Sequence, residues 1–125
     1  MEADMERDEG LDYLLSLHGS TVYRDEGYWW KIEAREVKPT SFMPHGIRYS
    51  LTLHDQDKTR VYGIDNAHGI KTPKKGHYSG RVVYDHRHRT PHDKGFPYEL
   101  LSAAQLLEDF FREAEEVVAL RENRG

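Results

Sequence analysis

The chain has no cysteine. That absence excludes a disulfide framework and a thiolate metal site together. No apolar run approaches the roughly 18 residues of a membrane-spanning helix, so no membrane partner is expected. Residues 1–10 are acidic and lack an apolar stretch. They are expected to form a flexible acidic N-terminus rather than a signal peptide. Neither a Walker loop for nucleotide phosphates nor a Gly-x-Ser-x-Gly nucleophile elbow is present. A cytoplasmic location fits these absences.

Acidic residues are also scarce in one place, and that scarcity marks the most informative stretch. Between residues 58 and 95 stand nine lysines and arginines against three aspartates, Asp65, Asp85 and Asp93. The whole chain has a net charge of −4, so this basic window is framed by acidic ends. Five of the eight histidines fall between His68 and His92. A cationic middle suits an anionic ligand. The alternative is ordinary solvation of a charged surface.

The 125 residues predict a single domain over 11–122, long enough to bury a core without staples. Leu11 to Leu15 fits either a short amphipathic helical turn or a lead-in strand. Thr21 to Arg24 reads as a strand, and Asp25-Glu26-Gly27 as a turn. Tyr28 to Val37 and Ile47 to His54 alternate apolar and polar residues, the mark of half-buried antiparallel strands. Trp29 and Trp30 are assigned to the core or to an interface. Thr59 to Ile64 makes a further strand, residues 66–80 a basic loop, and Gly80 to Tyr84 a strand continuing into Asp85-His86-Arg87-His88. Ser102 and Gln105 form a capping box for a closing helix. Its apolar face runs through Leu106, Leu107, Phe110, Phe111, Ala114, Val117 and Val118, with Glu113 on the polar face. The expected fold is α+β: an antiparallel meander of about five to six strands with a C-terminal amphipathic helix on one face.

His86 and His88 are two apart and share one side of a strand. Imidazole suits acid–base work near neutral pH. Arginine suits phosphate, which it grips through two parallel hydrogen bonds. These residues predict a metal-independent ribonuclease with His86, His88, His68, Asp65 and Asp85 as catalytic candidates. Arg87, Arg89, Arg60, Lys74 and Lys75 would hold phosphate, and Tyr84 and Tyr98 would stack on bases. No cofactor is required by that reading. Two alternatives stand beside it. One is a divalent metal held by His86, His88 and a third ligand from His68, His77, His92, Asp65 or Asp85. The arginines beside the pair argue against that cation. The other is a non-catalytic module that binds nucleic acid or protein.

The order Arg60-Val61-Tyr62-x-x-Asp65-Asn66-Ala67-His68-Gly69, Tyr84-Asp85-His86-Arg87-His88, Pro97-Tyr98-Glu99 and Leu106-Leu107-x-Asp109-Phe110 resembles the TumE-like toxins of bacteria and archaea. The resemblance covers roughly residues 47–118. Many such proteins run the first polar motif almost directly into the second, whereas here a basic loop at about 70–80 intervenes. The resemblance implies growth inhibition, an antitoxin partner, usually of helix-turn-helix type, and RNA as the target.

Overall fold

The computed structural model describes residues 9–24, 26–41, 43–66, 70–71 and 82–123. His68, His77, Lys74 and Lys75, all named above as candidates, lie outside them. The order of elements is α1 (Glu9–Ser16), β1 (Ser20–Tyr23), β2 (Trp29–Glu36), β3 (Ile47–His54), β4 (Arg60–Asp65), β5 (Ile70–Lys71), β6 (Val82–Val83), β7 (His86–His88), β8 (Phe96–Pro97) and α2 (Ala103–Asn123). Six strands form one antiparallel sheet in the order β1-β2-β3-β4-β7-β8, and β5 and β6 pair separately. The fold is α+β, as the sequence predicts. No helix among the described residues is long and apolar enough to cross a membrane.

Alternation drives the sheet. Along β3, Ile47, Tyr49, Leu51 and Leu53 are buried while the residues between them are half-exposed. Their neighbours across the ladder, Ile32 on β2 and Tyr62 and Ile64 on β4, point the same way. Helix α2 packs on this face through Leu106, Leu107, Phe110, Ala114 and Val118. Ser102 caps its start, its Oγ accepting from the Gln105 amide at 3.0 Å. Asp55 ties the far end of α2 to the β3–β4 turn, accepting from Arg121 at 3.0 Å.

Three local expectations change. The segment at Leu11 takes the helical of its two expected forms, but α1 begins at Glu9, inside the stretch assigned to the terminus. Leu14, fully buried in the core, explains why it docks. Glu113 does not lie on the solvent side of α2: it is buried, with Tyr62 and Arg87 donating to its carboxylate. The second polar motif does not extend one strand from Gly80. Val82–Val83 pairs with β5, a bend at Tyr84-Asp85 follows, and His86–His88 pairs with β4.

Candidate functional site

Helix α2 covers one face of the sheet, and the opposite face is polar. Lys31, Glu33 and Arg35 of β2, Arg48, Ser50, Thr52 and His54 of β3, and Asp65 of β4 alternate onto it. The β4–β7 register sets Asp65 opposite His86 and Gly63 opposite His88. Directly opposed residues of an antiparallel pair project from the same face. The chain thus brings Asp65 beside both histidines, although about twenty residues separate them in sequence. Among the described residues of the intervening segment, β5 and β6 pair with each other and not with this sheet.

The geometry is tight. His86 Nε2 lies 3.4 Å from Asp65 Oδ1. The two imidazole rings sit 4.9 Å apart and nearly perpendicular. One ligand-type atom from each of Asp65, His86 and His88 lies within 4.8 Å of the others. Asp65 and His86 are only 7% and 2% exposed, whereas His88 is half-buried.

Hydrogen bonds fix the tautomers. His86 Nδ1 is 2.7 Å from the Tyr84 carbonyl. A carbonyl only accepts, so Nδ1 carries a proton, and in the neutral ring Nε2 keeps the lone pair. His88 Nδ1 meets both the carbonyl and the carboxylate of Asp93, at 3.2 and 2.9 Å. It too is the protonated nitrogen. Burial pushes the Asp93 carboxyl up, but hydrogen bonds from the Arg89, Thr90 and Gly95 amides and from His88 outweigh it, and the net shift is downward. Asp93 therefore works as an acceptor that also holds the 88–95 turn in shape. Nothing in the spacing of His88 and Asp93 gave that role away.

The scan against protein-family models matches residues 7–118 to Toxin TumE. The chain belongs to the TumE toxin family. The match extends to α1 and the first two strands, well beyond the part whose motifs carried the resemblance. Searches of curated proteins and of solved structures gave no match.

Within this toxin the other predicted residues separate. Asp85 stands apart from the histidine pair. It accepts from Tyr49 Oη at 2.7 Å and from His45 Nε2 at 3.0 Å. His45 Nδ1 accepts from the Ile47 amide, which leaves its proton on Nε2. Burial, with the Asp85 charge adding, raises the Tyr49 pKa far above the ordinary phenol range. Arg87 points to the helix side. It is 2.6 Å from Glu113 and lies over the Tyr98 ring at 5.3 Å. Tyr98 is buried, and its hydroxyl donates to Asp109 at 2.7 Å. Tyr84 serves the site through its carbonyl. Arg89 is exposed and lines a groove with Tyr62, Thr90 and Glu113.

Arg60 does sit on the site's face. Its Cδ lies 3.5 Å from where Gly63, the residue opposite His88, would carry a Cβ. Further along the same face Trp29 stacks on His54, with ring centroids 4.1 Å apart and planes 12° apart. Tyr23 tilts against Trp29 at 6.1 Å and is 73% exposed. Burial lowers the His54 pKa, and the charges of Arg60 and Lys31 add to that against a backbone hydrogen bond at Lys58 and the charge of Asp55. A neutral, stacked imidazole results. Sequence reasoning missed this pair because it treated the two tryptophans alike. Parity separates them, since Trp30 packs on Phe111 of α2 and Trp29 faces the other way. Asn66 was missed as well. Fully buried, it accepts from the Tyr49 amide and donates to the Ile47 carbonyl, locking β4 against the start of β3 just past Asp65.

Proposed function

We propose that this toxin cleaves RNA on the polar face of its sheet, with the scissile phosphate over Asp65, His86 and His88. One observation carries the reading: a reactive trio and a stacking platform share that face. Trp29 lies on β2 and His88 on β7, three strand spacings apart. At about 4.8 Å per spacing that is roughly 14 Å across the strands, with roughly 10 Å more along them from Arg60 to Gly63, within the span of a few nucleotides. Single-stranded nucleic acid is held by aromatic platforms and neighbouring cations. Trp29 and His54 supply the first, Arg60 and Lys31 the second. A lone pair on Nε2 can take a proton or a cation, and either role puts the phosphate over the same three residues. Arg87, neutralised by Glu113, is a framework residue in this reading rather than a phosphate ligand. An antitoxin, of helix-turn-helix type, is the expected partner, and the cytoplasm the expected site of action.

Purified protein incubated with single-stranded RNA oligonucleotides tests the reading. Wild type cuts them, and His88→Gln cuts them about 10²–10⁴-fold more slowly, the usual contribution of a positioned acid–base group. RNA that is bound in a salt-sensitive way but left intact would identify a binding module instead.

A further inference from the structure

We propose that Asp65, His86 and His88 form a binding site for one divalent transition-metal ion of the zinc or manganese type. The inference concerns the residues of the proposed reaction, but it stands on their geometry alone.

The argument begins with His86. Its Nδ1 proton is committed to the Tyr84 carbonyl, so Nε2, which holds the lone pair in the neutral ring, is turned toward the Asp65 carboxylate at 3.4 Å. A carboxylate has only lone pairs to offer in return. A cation or a proton shared between an imidazole nitrogen and a carboxylate is held strongly in such a nearly closed setting, 2% and 7% exposed. A proton could serve that pair. It could not also serve His88, whose Nδ1 proton is committed to the Asp93 carbonyl and whose Nε2 is likewise left as a lone pair. A metal ion engages all three donors, which lie within 4.8 Å of one another.

The surroundings agree. A histidine ligand usually donates its second ring N–H to a carbonyl or carboxylate, which fixes the ring and raises its basicity. Both histidines do so here, on Tyr84 and Asp93. Two imidazoles and one carboxylate suit zinc, manganese or iron(II) better than magnesium. Three protein ligands leave a coordination position open, the pattern of catalytic rather than structural sites. The objection raised by Arg87 also falls away. That guanidinium lies on the opposite face, paired with Glu113. Two residues further on, Arg89 is solvent-exposed.

The test uses the full chain without an affinity tag, stripped of metal and titrated calorimetrically with Zn²⁺, Mn²⁺ and Mg²⁺. One Zn²⁺ or Mn²⁺ per chain is expected, with Mg²⁺ at least about tenfold weaker. Asp65→Asn and His88→Gln should each weaken binding by at least about tenfold, and the double variant should abolish it, with far-UV circular dichroism unchanged. Should the variants unfold, nitrogen-15 NMR of wild type replaces them. Zn²⁺ should then shift the Nε2 signals of His86 and His88 and spare those of His18 and His92. No stoichiometric binding, or a double variant that binds like wild type, overturns the proposal. So does an NMR shift confined to exposed histidines. A chain that binds the ion and leaves RNA intact would keep the metal site and remove the ribonuclease reading. A chain that cuts RNA while binding no ion would do the reverse.

Discussion

The two faces of the sheet are built from the same strands and differ by one step along each of them. The face under α2 is a closed core with charged groups inserted. The Tyr62 hydroxyl and Arg87 converge on Glu113, and Tyr98 and Gln105 converge on Asp109. Each of these donors meets an acceptor and each carboxylate is matched. On the other face Asp65, His86 and His88 are held as firmly, with one ligand-type atom of each within 4.8 Å of the others. The Nδ1 atoms of the two histidines are satisfied by Tyr84 and Asp93, and His86 Nε2 faces Asp65. A buried polar group that is fully partnered stabilises a fold or costs it little. Donor atoms gathered at one point are what the proposed bound ion would need. Arg87 and His88, neighbours in sequence, lie on different faces with different surroundings.

The largest expected separation comes from paired substitutions. Phe110→Ala removes a fully buried ring between α2 and Tyr62. It should cost about 3–5 kcal/mol in a denaturant titration. His88→Gln should cost about 0.5–1.5 kcal/mol, the worth of its hydrogen bond to Asp93, while abolishing most activity. If His88→Gln were the more destabilising of the two, the division between a structural and a chemical face would be wrong.

Acid unfolding sharpens the comparison. Burial pushes the Glu113 carboxyl up, but hydrogen bonds from Tyr62 and Arg87 and the charges of Arg87 and Arg89 bring it below its ordinary value of 4.5. Burial likewise pushes Asp109 up, and Tyr98, Gln105, Arg112 and Arg87 outweigh it. A depressed folded value means that protons bind the unfolded chain more readily. The stabilisation is complete above the ordinary carboxyl values and is lost as pH falls through the depressed ones. Glu113→Gln should lower stability at pH 7 by about 1.5–3 kcal/mol, the scale of a charge-assisted hydrogen bond. It should also make stability fall less steeply between about pH 5 and 3. An acid limb identical to wild type would show that Glu113 is not what holds Arg87 in place.

The smallest effect concerns the far end of the polar face. Trp29→Ala should weaken single-stranded RNA binding by about 1–3 kcal/mol, the worth of one base stack. Trp30→Ala, on the core side against Phe111, should act through stability instead. Equal loss of RNA affinity from both, measured on folded protein, would remove the stacking platform.

Much of the fold was legible in the chain. Alternation in β2 and β3 gave both strands and their buried sides, and Ser102 with the apolar stripe of α2 gave the helix and its cap. These signals are local, set by side-chain periods of two and 3.6 residues. The shared side of His86 and His88 came from the same period. What parity cannot give is the neighbour. The pairing of Asp65 with His86 depends on which strands meet after a long excursion, and that is set by the burial of whole faces. Glu113 was misplaced for a related reason. An acidic residue beside the apolar stripe reads as solvated until Tyr62 and Arg87 arrive from other strands to match it.

The sequence by itself determined that an antiparallel sheet carries a terminal helix on one face, and that two histidines share a side in a basic window. It also carried the motifs of its family. Only the tertiary structure decided that Asp65 completes the pair, that Arg87 does not, and that Asp93 folds back to orient His88. Hydrogen-bond partners are chosen in space. The identity of a residue fixes what it can donate or accept, and the fold fixes what remains for it to meet.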